Sequence, residues 1–202
     1  MKKSPNTRRN VTPQVLADPV GIDTIVTELQ VEFTNKLSWL EKSFNRAVLR
    51  SKTNTEGNEK LFPACWIGAG KDEYNMLEND NWDAYSFFYA SGDDLAIDYN
   101  ENTDTTFERD LALYFWFKPA AIDATKGQGE VIELVKREVV STIKNYYFID
   151  GLYGVDIASI TDIPSEVFSG FTLDVTTTQS LYHPYAAIRI DLNAIYTYDL
   201  GC

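Results

Sequence analysis

The second half of the chain alternates between apolar and polar positions with two different periods. Alternation from Phe107 to Phe117 is typical of a strand, and apolar positions three or four apart from Glu130 to Tyr146 are typical of a helix. Two more alternating runs follow, residues 170–181 and 185–200, and the segment Tyr182–Pro184 between them suits a turn. This order predicts an α+β unit that ends in a long β-hairpin, with the C-terminal segment built into a sheet.

The first half of the chain predicts one long helix. Asp18 is a suitable N-cap, and Pro19 suits the first helical position. A single apolar stripe with spacings of three and four then extends over about seven turns of 3.6 residues each. Its members are Ile22, Ile25, Leu29, Phe33, Leu37, Leu40, Phe44 and Val48. We therefore expect a helix over Asp18–Val48.

Two large side chains, Val31 and Trp39, lie off this stripe. Core packing within the monomer accounts for them, and a second packing partner or a neighbouring subunit is the alternative. A similar choice arises on the strand Phe107–Phe117, where Leu111, Leu113, Phe115 and Phe117 form one face and Asp110, Ala112, Tyr114 and Trp116 form the other. We expect the first set in the core, and we expect the long helix or another subunit to cover Tyr114 and Trp116.

Shorter strands are predicted between these elements. They are Leu61–Ile67, Ala84–Ala90, Leu95–Tyr99 and a short strand within 152–163, with polar loops at 51–60 and 71–83. Residues 1–17, broken by Pro5 and Pro13, read as a flexible N-terminal arm, and residues 18–202 as a single α+β domain. The predicted fold is a long N-terminal helix and a second helix packed on a mainly antiparallel sheet.

The charge is distributed unevenly. The net charge is −12, but Lys2, Lys3, Arg8 and Arg9 all lie in the first ten residues, so the rest of the chain carries −16. Such an acidic body argues against a sequence-specific DNA or RNA reader, because nucleic-acid affinity comes largely from Lys and Arg. It permits a channel along which DNA slides without being bound. The basic start lacks the apolar core of a signal peptide and no run is long enough to span a bilayer, so we expect a soluble protein made in the cytosol.

Residue chemistry predicts no catalytic, cofactor or metal site. His183 is the single histidine and has no acid or nucleophile at a recognisable spacing. Cys65, flanked by Ala64 and Trp66, reads as a buried small hydrophobe, and Cys202 is the other thiol. The run Gly68–Lys71 lacks the spacing of a phosphate-binding loop and is interpreted as a turn.

The run from Asp98 to Asp104 is a weak candidate for a cation site. Asp98, Asn100, Asn102 and Asp104 match the start of a calcium loop, but Thr103 stands at position six in place of Gly and Arg109 at position twelve in place of Glu. This excludes an EF-hand and leaves either a looser calcium site or a solvated turn. A second acidic stretch, Asp72, Glu73, Glu78, Asp80 and Asp83, is interpreted as a solvated or lumen-facing patch.

Aromatic residues keep a binding function open. The chain has twelve tyrosines and four tryptophans, several of them in predicted loops or on second strand faces. Exposed aromatic rings stack on sugars as well as on partner proteins. These rings therefore leave two functions open, a non-catalytic carbohydrate-binding or adhesion module and a protein that binds other proteins in an assembly.

The ordered series of elements resembles the tail terminator and neck-ring (head-to-tail connector) proteins of tailed bacteriophages. The matching pieces are the helix Asp18–Val48, the strand Phe107–Phe117 with the helix Glu130–Tyr146, and the closing hairpin 170–200. The acidic, Tyr- and Asn-rich composition is also similar to phages of Bacteroidetes, including crAss-like phages. This family is recognised by topology, so the resemblance transfers no functional residue.

The resemblance implies a non-enzymatic virion protein in the neck or tail. It implies a homo-oligomeric ring of six or twelve subunits that joins portal, connector or tail proteins around the DNA channel, with DNA passing nearby without specific binding. Ring contacts would be heterologous, using different surfaces of each subunit. The basic arm 1–17 would then be suited to reaching onto a neighbouring subunit.

Overall fold

The structure is a computed structural model in which more residues lie in strands than in helices. It describes residues 13–53, 57–68, 73–77, 81–98, 105–146, 154–173 and 184–198. The strands are β1 (Lys42–Thr53), β2 (Glu59–Trp66), β3 (Glu73–Asn75), β4 (Ala84–Ala90), β5 (Leu95–Asp98), β6 (Thr106–Phe117), β7 (Gly154–Thr161) and β8 (Ala186–Thr197). The helices are α1 (Ile22–Lys36), α2 (Pro119–Ile122), α3 (Gln128–Lys144) and α4 (Pro164–Val167).

The predicted fold class is wrong. Strands hold 43% of the described residues and helices 26%, and the eight strands form one mixed sheet with four short helices. The strand order is β3-β2-β1-β4-β6-β8-β7, and β5 pairs with β6 beside the end of β4. The architecture is therefore a large mixed sheet with helices on it, and not a helix-led α+β unit that ends in a hairpin.

The long N-terminal helix is wrong at both ends. The helix begins after Gly21, which has φ +57°, so Asp18 and Pro19 lie outside it. It ends at Lys36, and the chain then turns into β1. Phe44 is buried in β1 but Val48 is 39% exposed, so the three-and-four spacing continued across the turn by coincidence. A register shift between Ser43 and Arg46 breaks the alternation that would have indicated a strand.

The predicted C-terminal hairpin is also wrong. β8 pairs with β6 along its whole length and with β7 on its other side, so the antiparallel partner expected from residues 170–181 is instead β7. Residues 170–173 are not in a strand, and the rest of that predicted arm lies outside the described residues. The pattern located β8 correctly, but alternation alone does not say which strand is the neighbour.

Several local predictions are confirmed. β2, β4, β5, β6 and β7 agree with predicted strands to within two residues, and α3 agrees to within two residues at each end. The two polar loops are partly wrong, because β1 extends to Thr53, β2 begins at Glu59 and β3 lies within 71–83. In those segments pairing with neighbouring strands outweighed the polar composition that had indicated loops.

Each face of the sheet has its own apolar core. On the first face, α1 and α3 pack over Leu111, Leu113, Phe115 and Phe117 of β6, as the alternation predicted for that set. The second face carries Tyr114 and Trp116, which are covered by Phe168 and Tyr185 of the same chain. The expectation that the long helix or another subunit covers them is wrong, because α1 lies on the opposite face.

Candidate functional site

A shallow polar cleft of about 370 Å³ lies on the second face, where β6, β7 and β8 run side by side. Its lining includes Asp110, Ser159, Arg189, Asp191 and Asn193. Strand register brings these residues together, since Asp191 lies opposite Ala112 and Ser159, and Asn193 lies opposite Asp110. The cleft offers a small molecule polar groups from three strands.

The groups in this cleft already bind one another. Asp191 Oδ1 lies 2.9 Å from Arg189 Nε, and its Oδ2 accepts hydrogen bonds from Arg189 Nη2 at 3.1 Å and Ser159 Oγ at 2.7 Å. Arg189 Nη1 donates to Ser169 Oγ at 2.7 Å. This network ties β8 to β7 and to the segment after α4. Its Asp191 carboxylate is held by an arginine, so it is poorly suited to activate the Ser159 hydroxyl.

No convergent acid–base set appears in the described residues. Next to the cleft, burial raises the pKa of Tyr114 to about 12, which makes its phenol a poor general acid or base near neutral pH. No cluster of His, Cys, Asp or Glu in the described ranges has the arrangement of a metal site. His183 lies outside those ranges. The cleft therefore supports binding or packing better than it supports chemistry.

A second polar cluster holds the edge strand β5 and the start of α1 to the sheet. Asp94 Oδ1 accepts from the Tyr196 hydroxyl at 2.5 Å and from Arg109 Nη1 at 3.0 Å, and Oδ2 accepts from the Tyr198 hydroxyl at 3.4 Å. These hydrogen bonds, that of Tyr196 foremost, lower the pKa of Asp94. Burial, followed by the bond to Asp94, raises the pKa of Tyr196. The cluster is structural, because the Asp94 carboxylate accepts hydrogen bonds from all three of the other members.

The sequence-based interpretation of Trp39 as a core residue of the monomer is confirmed, whereas the same interpretation of Val31 is wrong, because Val31 is 42% exposed. Its ring lies 5.8 Å from the Phe115 ring and 6.0 Å from the Phe117 ring, and its Nε1 donates to Glu138 Oε2 at 2.8 Å. α1 and α3 are also joined by the Tyr146 hydroxyl, which donates to Glu28 Oε2 at 3.1 Å. The two helices are therefore fixed to each other and to β6.

The predicted candidate residues remain apart. Cys65 is buried as predicted, and burial raises its thiol pKa well above the ordinary value, so it is a poor nucleophile. Among the calcium candidates, Asp98 ends β5, and Asn100, Asn102 and Asp104 lie outside the described residues. In the acidic stretch, Asp72, Glu78 and Asp80 lie outside the described residues, whereas Glu73 pairs with Arg50 and Asp83 with Lys118. Because each of these two carboxylates is paired with a basic side chain, neither presents an isolated negative charge to a channel.

Most tryptophans pack in the interior and do not form an exposed surface on which sugars would stack. Trp82 packs on Phe44 at 5.2 Å on the second face, and Trp39 and Trp116 are packed as described above. Trp66 is the exception at 39% exposure. The aromatic richness that raised the carbohydrate-binding alternative is thus explained largely by two aromatic cores.

Part of the second face remains open. Leu95, Glu108 and Ile195 stand directly opposite one another across β5, β6 and β8. The next row consists of Asp110, Asn193 and Asp156 across β6, β8 and β7. Asp110, Asp156 and Leu95 are exposed, and none of these six side chains is fully buried. We call these six residues the open face.

The open face was missed from the sequence because its members lie far apart along the chain. One signal was present. The predicted second face of β6 contained Asp110 beside Ala112, Tyr114 and Trp116, and a single acid in an aromatic row marks the point where the covering ends. The partners of Asp110 on β7 and β8 depend on strand register, which the sequence pattern did not define.

Two different strand edges carry exposed apolar side chains. On β5, Leu95 is 62% and Ile97 is 50% exposed. On the opposite side of the sheet, Ile160 of β7 is 36% exposed, and Ile163 follows at 50%. Among the described strands, β7 is the last in the sheet and β5 pairs with β6 alone. Apolar residues at unpaired edges are a common basis for pairing with another chain.

Comparisons with known proteins add no relative: no family model matches the chain, and no curated protein matches it either. None of the helices in the described ranges has the length and apolar character needed to cross a lipid bilayer.

Proposed function

We propose that this protein is a structural subunit of a homo-oligomeric ring at the head–tail junction or in the tail of a tailed bacteriophage, around the DNA channel. The ring has six or twelve copies and meets portal, connector or tail proteins. The observation that carries the proposal is the pair of apolar strand edges, β5 with Leu95 and Ile97 and β7 with Ile160. A ring requires two different surfaces on each subunit, so that one copy contacts the next head to tail.

The order of elements supports this proposal in a corrected form. An N-terminal helix, a series of strands, the strand–helix unit β6–α3 and a final antiparallel pair, β7 and β8, follow one another along the chain. The helix expected over Asp18–Val48 and the hairpin expected at 170–200 are wrong, so the strand–helix unit β6–α3 is the matching piece that remains in the structure.

Electrostatics support a position near DNA without DNA binding. Apart from the basic first ten residues, the chain carries −16. Phosphate groups are repelled by such a surface, and a repelled polyanion slides through a channel more readily than a bound one. In the cleft around Arg189 and Asp191 the polar groups bind one another, which supports a structural role for this part of the sheet. The alternative, a carbohydrate-binding module, loses part of its argument because most aromatic side chains of the described residues, Trp66 excepted, pack in the two cores.

The test is the native mass of the purified full-length chain. We would measure it at two protein concentrations and two salt concentrations, and image any large species. The expected result is a closed species of six or twelve subunits whose formation rises with concentration. A monomer under every condition, with no rings in the images, would contradict the proposal. A binding screen on immobilised glycans distinguishes the carbohydrate-binding alternative, for which the present proposal expects no specific signal.

A further inference from the structure

We infer that the open face of one subunit is the docking surface for the basic N-terminal segment, residues 1–12, of the neighbouring copy. This inference rests on the proposed ring and specifies one of its contacts. It concerns a face whose acidic and apolar side chains are exposed or half-buried. The occupant is a segment of the same chain with the complementary charge.

Charge complementarity is the first argument. The open face presents Glu108, Asp110 and Asp156, of which Asp110 and Asp156 are exposed. The segment 1–12 carries Lys2, Lys3, Arg8 and Arg9 and no acidic residue. In a chain of net charge −12, this is the one terminal stretch with a concentrated positive charge. Each exposed ion pair adds little to the binding free energy. Several pairs on one short segment nevertheless make binding more selective and association faster.

The open face also presents apolar surface to such a segment. Leu95 is 62% exposed and stands in register with Glu108, which in turn is opposite the half-buried Ile195. Apolar contact area adds a contribution that salt does not screen. The surface is therefore more than a group of carboxylates, since it combines apolar and acidic positions across four strands.

The segment leaves the body on the side of the sheet away from β7. Gln30 Nε2 donates to the Gln14 carbonyl at 3.1 Å and to the Ser43 carbonyl of β1 at 2.7 Å. Gln14 is thereby held beside β1, and β4, β6 and β8 separate β1 from β7. In the proposed ring, β5 of one copy meets β7 of the next, so the neighbour's Asp156 lies across that contact from the copy that supplies the segment.

The length of the segment is sufficient. Twelve residues span about 40 Å when extended. The open face is four strands wide, which is about 14 Å at the usual strand spacing. The segment can therefore cross a subunit boundary and still reach from Asp156 to Leu95.

The first test measures binding of a synthetic peptide of residues 1–12, labelled at its C-terminal end. The receptor is the full-length chain with Lys2→Gln, Lys3→Gln, Arg8→Gln and Arg9→Gln, so that its own segment competes weakly. We expect saturable binding by fluorescence anisotropy. Adding Asp110→Asn and Asp156→Asn should weaken it about tenfold. The matched control, Glu59→Gln with Glu133→Gln, removes the same charge from exposed sites elsewhere and should change the affinity less than about twofold.

Leu95→Ser provides a second variant that leaves the charge unchanged. It should also weaken peptide binding, and the loss should persist at high salt because the contact is apolar. Equal losses in the acidic pair and in the control pair would overturn the inference, since they would show a general attraction to an acidic protein. No saturable binding would overturn it as well. Unchanged thermal unfolding of each variant confirms that the fold is retained.

The second test asks which copy supplies the segment. Unlabelled and ¹⁵N-labelled full-length wild-type chains are mixed and treated with a zero-length carbodiimide crosslinker, which joins lysine amines to carboxylates. We expect links from Lys2 or Lys3 to Glu108, Asp110 or Asp156 in hybrid light–heavy pairs. Links confined to one copy would overturn the inference, as would links to other surfaces. If native mass shows a ring but these links are missing, the inference alone fails, whereas loss of both removes the ring proposal too.

Discussion

The ring of Tyr198 occupies the space beside Gly21 that a side chain would need. A Cβ atom at Gly21 would lie 2.5 Å from Tyr198 Cε1, and Gly21 has φ +57°, a conformation that disfavours other residues. The glycine therefore serves both the turn into α1 and the close approach of β8. Tyr198 is in turn held by the Phe107 ring at 5.3 Å and by Asp94.

Gly21→Ala should destabilise the protein through both effects. The left-handed backbone costs an alanine about 1 kcal/mol, and the displaced Tyr198 ring loses its contacts with Phe107 and Asp94. Gly92→Ala is the matched control, because Gly92 has φ +70° with nothing within 4 Å of its added Cβ. In urea unfolding, Gly21→Ala should lose at least about 1 kcal/mol more than Gly92→Ala. Equal losses would show that the contact with Tyr198 has no energetic role.

The hydrogen bonds to Asp94 should make stability depend on pH in the acidic range. Its pKa is lower in the folded chain than in the unfolded one, so its contribution is present above the ordinary aspartate pKa of about 4 and is lost as the pH falls toward the folded pKa. Asp94→Asn should therefore be less stable than wild type near pH 6, and this difference should shrink near pH 3.

Two further variants define the source of that pH dependence. Tyr196→Phe removes the hydrogen bond that lowers the Asp94 pKa most, so it should flatten the wild-type pH profile between about pH 6 and pH 3. Asp93→Asn changes the adjacent exposed residue by the same charge and should leave the profile close to that of wild type. A difference between wild type and Asp94→Asn that stays constant with pH would contradict the assignment.

Phe168→Ala should lower the stability of the protein, because the Phe168 ring covers Tyr114 and Trp116 on the second face. The Phe168 ring lies 5.7 Å from the rings of both Tyr114 and Trp116, and the residue is buried. Truncating a buried Phe typically costs about 3–5 kcal/mol. Phe171→Ala, at a half-buried position on the same segment, should cost clearly less in the same urea titration. A small effect of Phe168→Ala would mean that Tyr114 and Trp116 do not depend on this cover.

Charged substitutions at the two apolar strand edges should show whether the contact between copies is head-to-tail or symmetric. Leu95→Glu on β5 and Ile160→Glu on β7 should each prevent ring formation, because each places a charge in one half of the contact. Mixing the two variants should yield dimers and no rings, since every mixed pair has one intact contact. Val31→Glu, at an exposed position on α1, is the control and should leave ring formation unchanged.

Native mass spectrometry of the three single variants and of the mixture checks this prediction. Rings formed by either edge variant alone would show that its edge is outside the contact. A mixture that remains monomeric while wild type forms rings would indicate that β5 and β7 do not meet each other.

Local pattern was enough to locate many elements of this protein. The strict alternation of Phe107–Phe117 identified β6 and the face that α1 and α3 cover, and the apolar stripe of Val135, Val139 and Ile143 identified α3. Both signals are strong because one element with one regular period buries one continuous set of side chains. Burial of Cys65 was equally predictable from its apolar neighbours.

Only the tertiary structure decided which elements are neighbours. Phe44 and Val48 continued the helical spacing of α1, but pairing of β1 with β4 and β2 makes that segment a strand. Asp110, Asn193 and Asp156 meet through the register of three strands that are far apart in the chain. Periodicity records which side of an element is buried, whereas strand partners and register depend on contacts between distant segments, so the mixed sheet and its open face emerge only when the chain is folded.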